Sequence, residues 1–93
     1  MMVQDLTAST AASIGLRNHD GALVVTVVSD APAAQAGIRA GDVVVAVNDL
    51  PTRSAKALVT LIHQLRRGDR VILDIERKNP SGGAERLRLA AVL

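Results

Sequence analysis

The stretch SDAPAAQAGIRAGDVVVAVND, Ser29 to Asp49, decides how this 93-residue chain is read. Ser29 or Asp30 is placed to cap a helix, and Pro32 suits its first turn, where a missing N–H goes unpaired anyway. Ala33, Ala34 and Ala36 favour the helix and let backbones approach closely. Gly37 fits the left-handed position that ends it. Gly41-Asp42 makes a second tight turn. Asp42–Val47 follows as a strand apolar on both faces, and Asn48-Asp49-Leu50-Pro51 closes it with turn chemistry. Nothing in the stretch carries a nucleophile with its base, so its purpose is geometric.

Working outward, Ala22–Ser29 reads as a strand opened by Gly21; its run LVVTVV hardly alternates and predicts burial on both faces. Thr7–Leu16, rich in small residues, predicts a short helix capped by Thr7. Ser54–Arg67 is the longest helical pattern, with Thr52 or Ser54 as cap, Gly68 as stop, and Arg66 and Arg67 in the last turn, where the dipole favours cations. Two alternating strands follow. In Arg70–Arg77, Val71, Leu73 and Ile75 point one way while Ile72, Asp74 and Glu76 point the other. In Glu85–Val92, Leu87, Leu89 and Ala91 point in while Arg86 and Arg88 point out. NPSGG joins them as a hairpin. The sum is mainly β: five or six short strands in a partly open barrel, with one long helix and one or two short ones as caps.

Composition bounds the rest. The length supports one domain, spanning 1–93. Without Phe, Tyr or Trp, the core is aliphatic. Without Cys there is neither a disulfide nor thiolate chemistry. A formal net charge of +2 and no aromatic residue on which a base could stack exclude a nucleic-acid partner. The apolar runs fall far short of the ~20 residues that span a membrane, and no direct membrane insertion is expected. The chain opens at Met1-Met2-Val3 almost inside a strand-like segment, which reads as a domain cut from a longer protein.

On the long helix, stepping about 100° per residue, Leu58, Leu61 and Leu65 form a sufficient core stripe. Ala55, Val59 and Ile62 widen the apolar arc to about 160°, beyond the ~100° that docking on one core takes. Either a second sheet covers this extra edge or it lines an open groove. His63 stands beside Ile62, where a titrating imidazole can tune such a groove. Catalytic and metal sites find no support. Ser81 in NPSGG lies in a hairpin tip with no His–Asp pair to serve it. His19 and His63 lie far apart, without cysteines or a paired-histidine spacing; surface or cap roles suit them. No cofactor is implied: GIRAG lacks the spacing of a phosphate loop.

Together, Ser29–Asp49, RRGDRVILDIER and RLRLAAVL resemble the PDZ domain of bacterial HtrA/Deg-type serine proteases, in the circularly permuted bacterial arrangement. The match runs from Val3 to Leu93. The resemblance makes the opening stretch a scaffold corner and moves the binding site elsewhere. It implies a peptide laid as an added antiparallel strand between an edge strand, Met1–Leu6, and the helix Ser54–Arg66. Its site residues are then Met1, Met2, Val3, Gln4, Ala55, Val59, Ile62, His63 and Arg66. Partners would be apolar C-termini or unfolded segments, and a covalently linked protease domain in the parent protein. The compartment would be the bacterial periplasm or membrane-anchored envelope. The module itself would be non-catalytic. An assembly role, with the groove idle, is the alternative. The family's carboxylate-binding loop would stand just before Met1, so the expected affinity of this chain is weak, on the order of tenths of a millimolar.

Overall fold

The structure is a computed structural model that describes residues 2–16 and 20–93. Met1 and His19 lie outside the described residues. The elements are β1 (Met2–Asp5), α1 (Ala8–Ile14), β2 (Ala22–Thr26), α2 (Pro32–Ala36), β3 (Val43–Val47), β4 (Leu50–Pro51), α3 (Ala55–His63), β5 (Arg70–Lys78) and β6 (Ala84–Val92). The strands form one open antiparallel sheet in the order β1-β2-β3-β5-β6, with β4 paired to β3 off this path. β1 and β6 are its margins, and six strands with three helices match the mainly β expectation.

Local chemistry explains the element ends. Thr7 Oγ1 accepts from the Thr10 N–H at 3.1 Å and starts α1. Gly37, at φ 99°, ends α2, its N–H reaching Ala34 O while Ile38 N–H reaches Ala33 O. The start of α2 departs from expectation. Ser29 and Asp30 do not cap it. Asp30 turns the chain at φ 67° and leaves Ala31 at the cap position, with Pro32 as the first helical residue. Asn48 and Asp49, both at positive φ, form a two-residue turn that folds β4 back on β3.

The core is aliphatic. Leu58, Ile75, Val24, Val43, Val44, Val47 and Val71 are fully buried between the sheet and the helices. A smaller cluster, Leu6, Ala11 and Val43, sits under α1. Alternation on β5 is as expected, with Val71, Leu73 and Ile75 buried. Asp74 on its other face is also buried, because Arg86 and Arg88 of β6 reach it at 3.6 and 3.8 Å and their stems cover it.

Two expectations need correction. β2 is not buried on both faces. The register slips by one between Met2 and Val3, passing over Val25, which is left 42% exposed. Val28, beyond the strand, is exposed as well. The long helix also stops earlier than Arg67. After His63, Gln64 N–H bonds Leu61 O and Leu65 N–H bonds Ile62 O, a tightening of the last turn. Asp69 then accepts from the Arg66 N–H at 2.7 Å. Arg66 and Arg67 therefore lie past the helix and do not meet its dipole as α-helical residues.

Candidate functional site: a groove between the sheet margin and the last helix

α3 begins where two acceptors meet it. Ser54 Oγ takes the Ala57 N–H at 3.1 Å, and Asp5 Oδ1, from β1, takes the Ala55 N–H at 2.8 Å. Two of the four free donors at the helix start are satisfied, one by a strand fifty residues away. Ser54 is the cap; Thr52 is buried, and its hydroxyl has no hydrogen-bond partner among the described groups.

The Asp5 bond holds α3 beside the outer margin of β1. Which backbone groups line that margin follows from β2. Val24 gives its N–H to Asp42 O and its carbonyl takes the Gly41 N–H, both at 2.8 Å. Its hydrogen-bonding groups thus face away from β1. Val3, its partner across the ladder, sits in a non-hydrogen-bonded pair, so the Val3 N–H and C=O point outward. By the same alternation those of Asp5 point outward too. Among the described residues no strand pairs with this margin.

Alongside runs a hollow of about 270 Å³. Val3 forms one wall, and Val59, Ile62 and His63 of α3 form the other. Leu58, Val71, Leu73 and Ala91 make its apolar floor, and Ala31–Ala33 with Leu93 close one end. Val59 is 41% exposed and Ile62 half-buried, so the extra apolar edge of α3 lines a groove and is not sealed by a second sheet. A larger hollow, about 370 Å³, lies between Asp20, Thr52, Arg53, Glu76 and Arg86, where charged groups dominate.

Of the residues singled out from sequence, Val3, Val59, Ile62 and His63 come together in the groove. Ala55 stands at its end against Asp5. Met2 and Gln4 lie on the margin strand, but alternation turns their side chains from α3, and Met2 Sδ contacts the Thr26 hydroxyl. Arg66 is not in the groove wall; it belongs to the turn closed by Asp69. Met1 is outside the described residues. Ser81 Oγ donates to Asn79 Oδ1 in the hairpin tip, and no base is paired with it among the described residues. Asp5 is the residue the sequence reading missed: a carboxylate ending an edge strand gives no local signal of a helix fifty positions on.

The PDZ domain family matches residues 5–85. The chain is a PDZ domain. A curated relative, the "Probable periplasmic serine endoprotease DegP-like" of Brucella suis biovar 1 (strain 1330), is 38% identical to it over 79 residues, covering 85% of this chain. The chain spans 15% of that relative's length. Among solved structures, the HtrA-type protease AlgW with decapeptide superposes with a TM-score of 0.79 at 26% identity, covering 97% of this chain and 26% of that one. The HtrA3 PDZ domain bound to a phage-derived ligand (FGRWV) superposes with a TM-score of 0.78 at 21% identity, covering 99% of this chain and 79% of that one. The resemblance carried by Ser29–Asp49 and the closing strands is thereby confirmed in family and fold. As a PDZ domain the module is non-catalytic. Among the described residues no helix is long and apolar enough to cross a membrane.

Proposed function

We propose that this PDZ domain binds extended peptide segments by strand addition to β1, as the recognition or regulatory module of an HtrA-type serine protease. The outward-facing N–H and C=O groups of Val3 beside the apolar hollow carry the reading. Val3, Ala55, Val59, Ile62 and His63 contact ligand side chains; Met2 and Gln4 sit in the receiving strand. The periplasmic location in the relatives' names supports a place in the cell envelope.

Three or four strand hydrogen bonds contribute about 3 kcal/mol. One buried apolar anchor adds about 2 kcal/mol. Together they correspond to a Kd on the order of tenths of a millimolar. The test is a titration of fluorophore-labelled peptides ending in Val, read by anisotropy, for the parent chain and Val59→Asp. Because Val59 is exposed, the variant keeps the fold, checked by circular dichroism, and binding falls beyond detection. Unchanged binding in Val59→Asp removes the groove from function. If the parent binds no peptide but light scattering shows concentration-dependent dimers, the free margin serves assembly instead.

A further inference from the structure

The inference rests on the strand-addition reading. Val3 and Asp5 share the face of β1 turned toward α3, and both aim their backbone groups outward. A ligand residue paired with Asp5 carries its side chain on that same face, with Cβ atoms about 5 Å apart. It sits two residues upstream of the ligand residue paired with Val3, because the added strand runs antiparallel. Asp5 is exposed, and its bond to the Ala55 N–H uses Oδ1 alone. An ionised carboxylate has about four lone-pair sites, so acceptor capacity remains. Ala55, opposite, has only a methyl group to offer.

We infer that Asp5 is a specificity-determining residue that selects a cationic side chain, Lys or Arg, at the ligand position facing it. Two cations stand near the helix start. Arg53 lines the polar hollow on the far side of the sheet, away from the groove. Lys56 is exposed and lies about 100° round the helix from Ala55, on the outer rim. Asp5 is on the wall that the ligand pairs with, and it therefore sets the sign of the preference.

The probes are labelled octapeptides of Gly and Ala ending in Val, with Lys or Glu at one of the four positions before the last residue. Lys is expected to be favoured over Glu by about three- to tenfold at one position only, two or four before the end. The odd positions project to the other face and discriminate little. Asp5→Asn keeps an amide oxygen for the Ala55 N–H and should bring the Lys:Glu ratio to about one. A Lys preference that survives in Asp5→Asn overturns the inference, as does a Glu preference in the parent chain that vanishes in Lys56→Ala. Equal binding of all peptides also overturns it and leaves strand addition standing. Absence of binding by every peptide, the neutral one included, overturns both.

Discussion

Asp5 and Ala55 are joined by a 2.8 Å hydrogen bond from the helix N–H to the strand carboxylate, the shortest tie between the two walls of the groove in covalent terms being some fifty residues of chain. The bond supplements Ser54 at the start of α3 and sets the helix against β1. Removing a carboxylate cap costs about 1 kcal/mol. Asp5→Ala is therefore expected to lower unfolding stability by about that much, while Asp5→Asn retains most of it. Urea denaturation followed by far-UV circular dichroism distinguishes the two. Equal stability of Asp5→Ala and the parent would mean that Ser54 alone suffices.

Neighbours on α3 should respond in opposite ways. Leu58 is 1% exposed and packs in the main core, whereas Val59 is 41% exposed on the groove wall. Leu58→Ala should cost about 2–5 kcal/mol through lost burial and the cavity left behind. Val59→Ala should change stability by less than about 0.5 kcal/mol, as surface substitutions usually do, yet weaken peptide binding several-fold. Thermal unfolding and anisotropy titration, run on the same two variants, separate the core stripe from the ligand wall.

The patterning of this chain shows why some parts were legible and others not. Helix caps and turns are local, so Thr7, Ser54 and Gly37 could be read from neighbours in sequence. The alternation of β5 named Val71, Leu73 and Ile75 as buried for the same reason, but not Asp74, which is covered from β6. β2 misled because Val25 and Val28 are apolar yet exposed, and a register slip has no sequence signature. The early end of α3 was hidden because Gln64–Arg67 are good helix formers, overridden by the turn that Asp69 closes. On the groove, the wide apolar arc of α3 pointed to Val59 and Ile62. The side-chain reach of Asp5, and the pairing of Asp42 with Arg77, are tertiary relations that no periodicity encodes.

The β5–β6 hairpin depends on one side chain at its tip. Asn79 Oδ1 accepts from Ser81 N–H at 3.1 Å, Ser81 Oγ at 2.9 Å and Gly83 N–H at 3.1 Å. Asn79→Ala leaves the turn without this acceptor, and a loss of about 1 kcal/mol is expected. Ser81→Ala removes one exposed contact and should lie within about 0.5 kcal/mol of the parent. Amide exchange along β5 and β6 should accelerate at the tip in Asn79→Ala alone.

Asp42, 2% exposed, is the buried charge that fixes the scaffold corner. It accepts from Arg77 Nε and Nη2, each at 2.8 Å, and from the Arg39 N–H at 2.9 Å, while Arg77 also donates to Gly37 O at the end of α2. The hydrogen bond to Asp42 raises the Arg77 pKa, desolvation opposes it, and the charges of Asp42 and Glu85 add to the rise. A cation whose folded value is raised contributes stability that is complete below its unfolded value and lost only as pH climbs through the folded one. Between about pH 7 and about pH 10 the Arg77 contribution should therefore stay constant. Asp42→Ala strips the guanidinium of its carboxylate and leaves the Arg39 N–H without its acceptor. The expected cost is about 3 kcal/mol, the lower end for a broken buried pair because Arg77 retains 22% side-chain exposure. Chemical denaturation at both pH values tests this: the gap between parent and Asp42→Ala should be the same at each, and a gap that shrinks toward the alkaline end would mean that Arg77 loses its proton within that range.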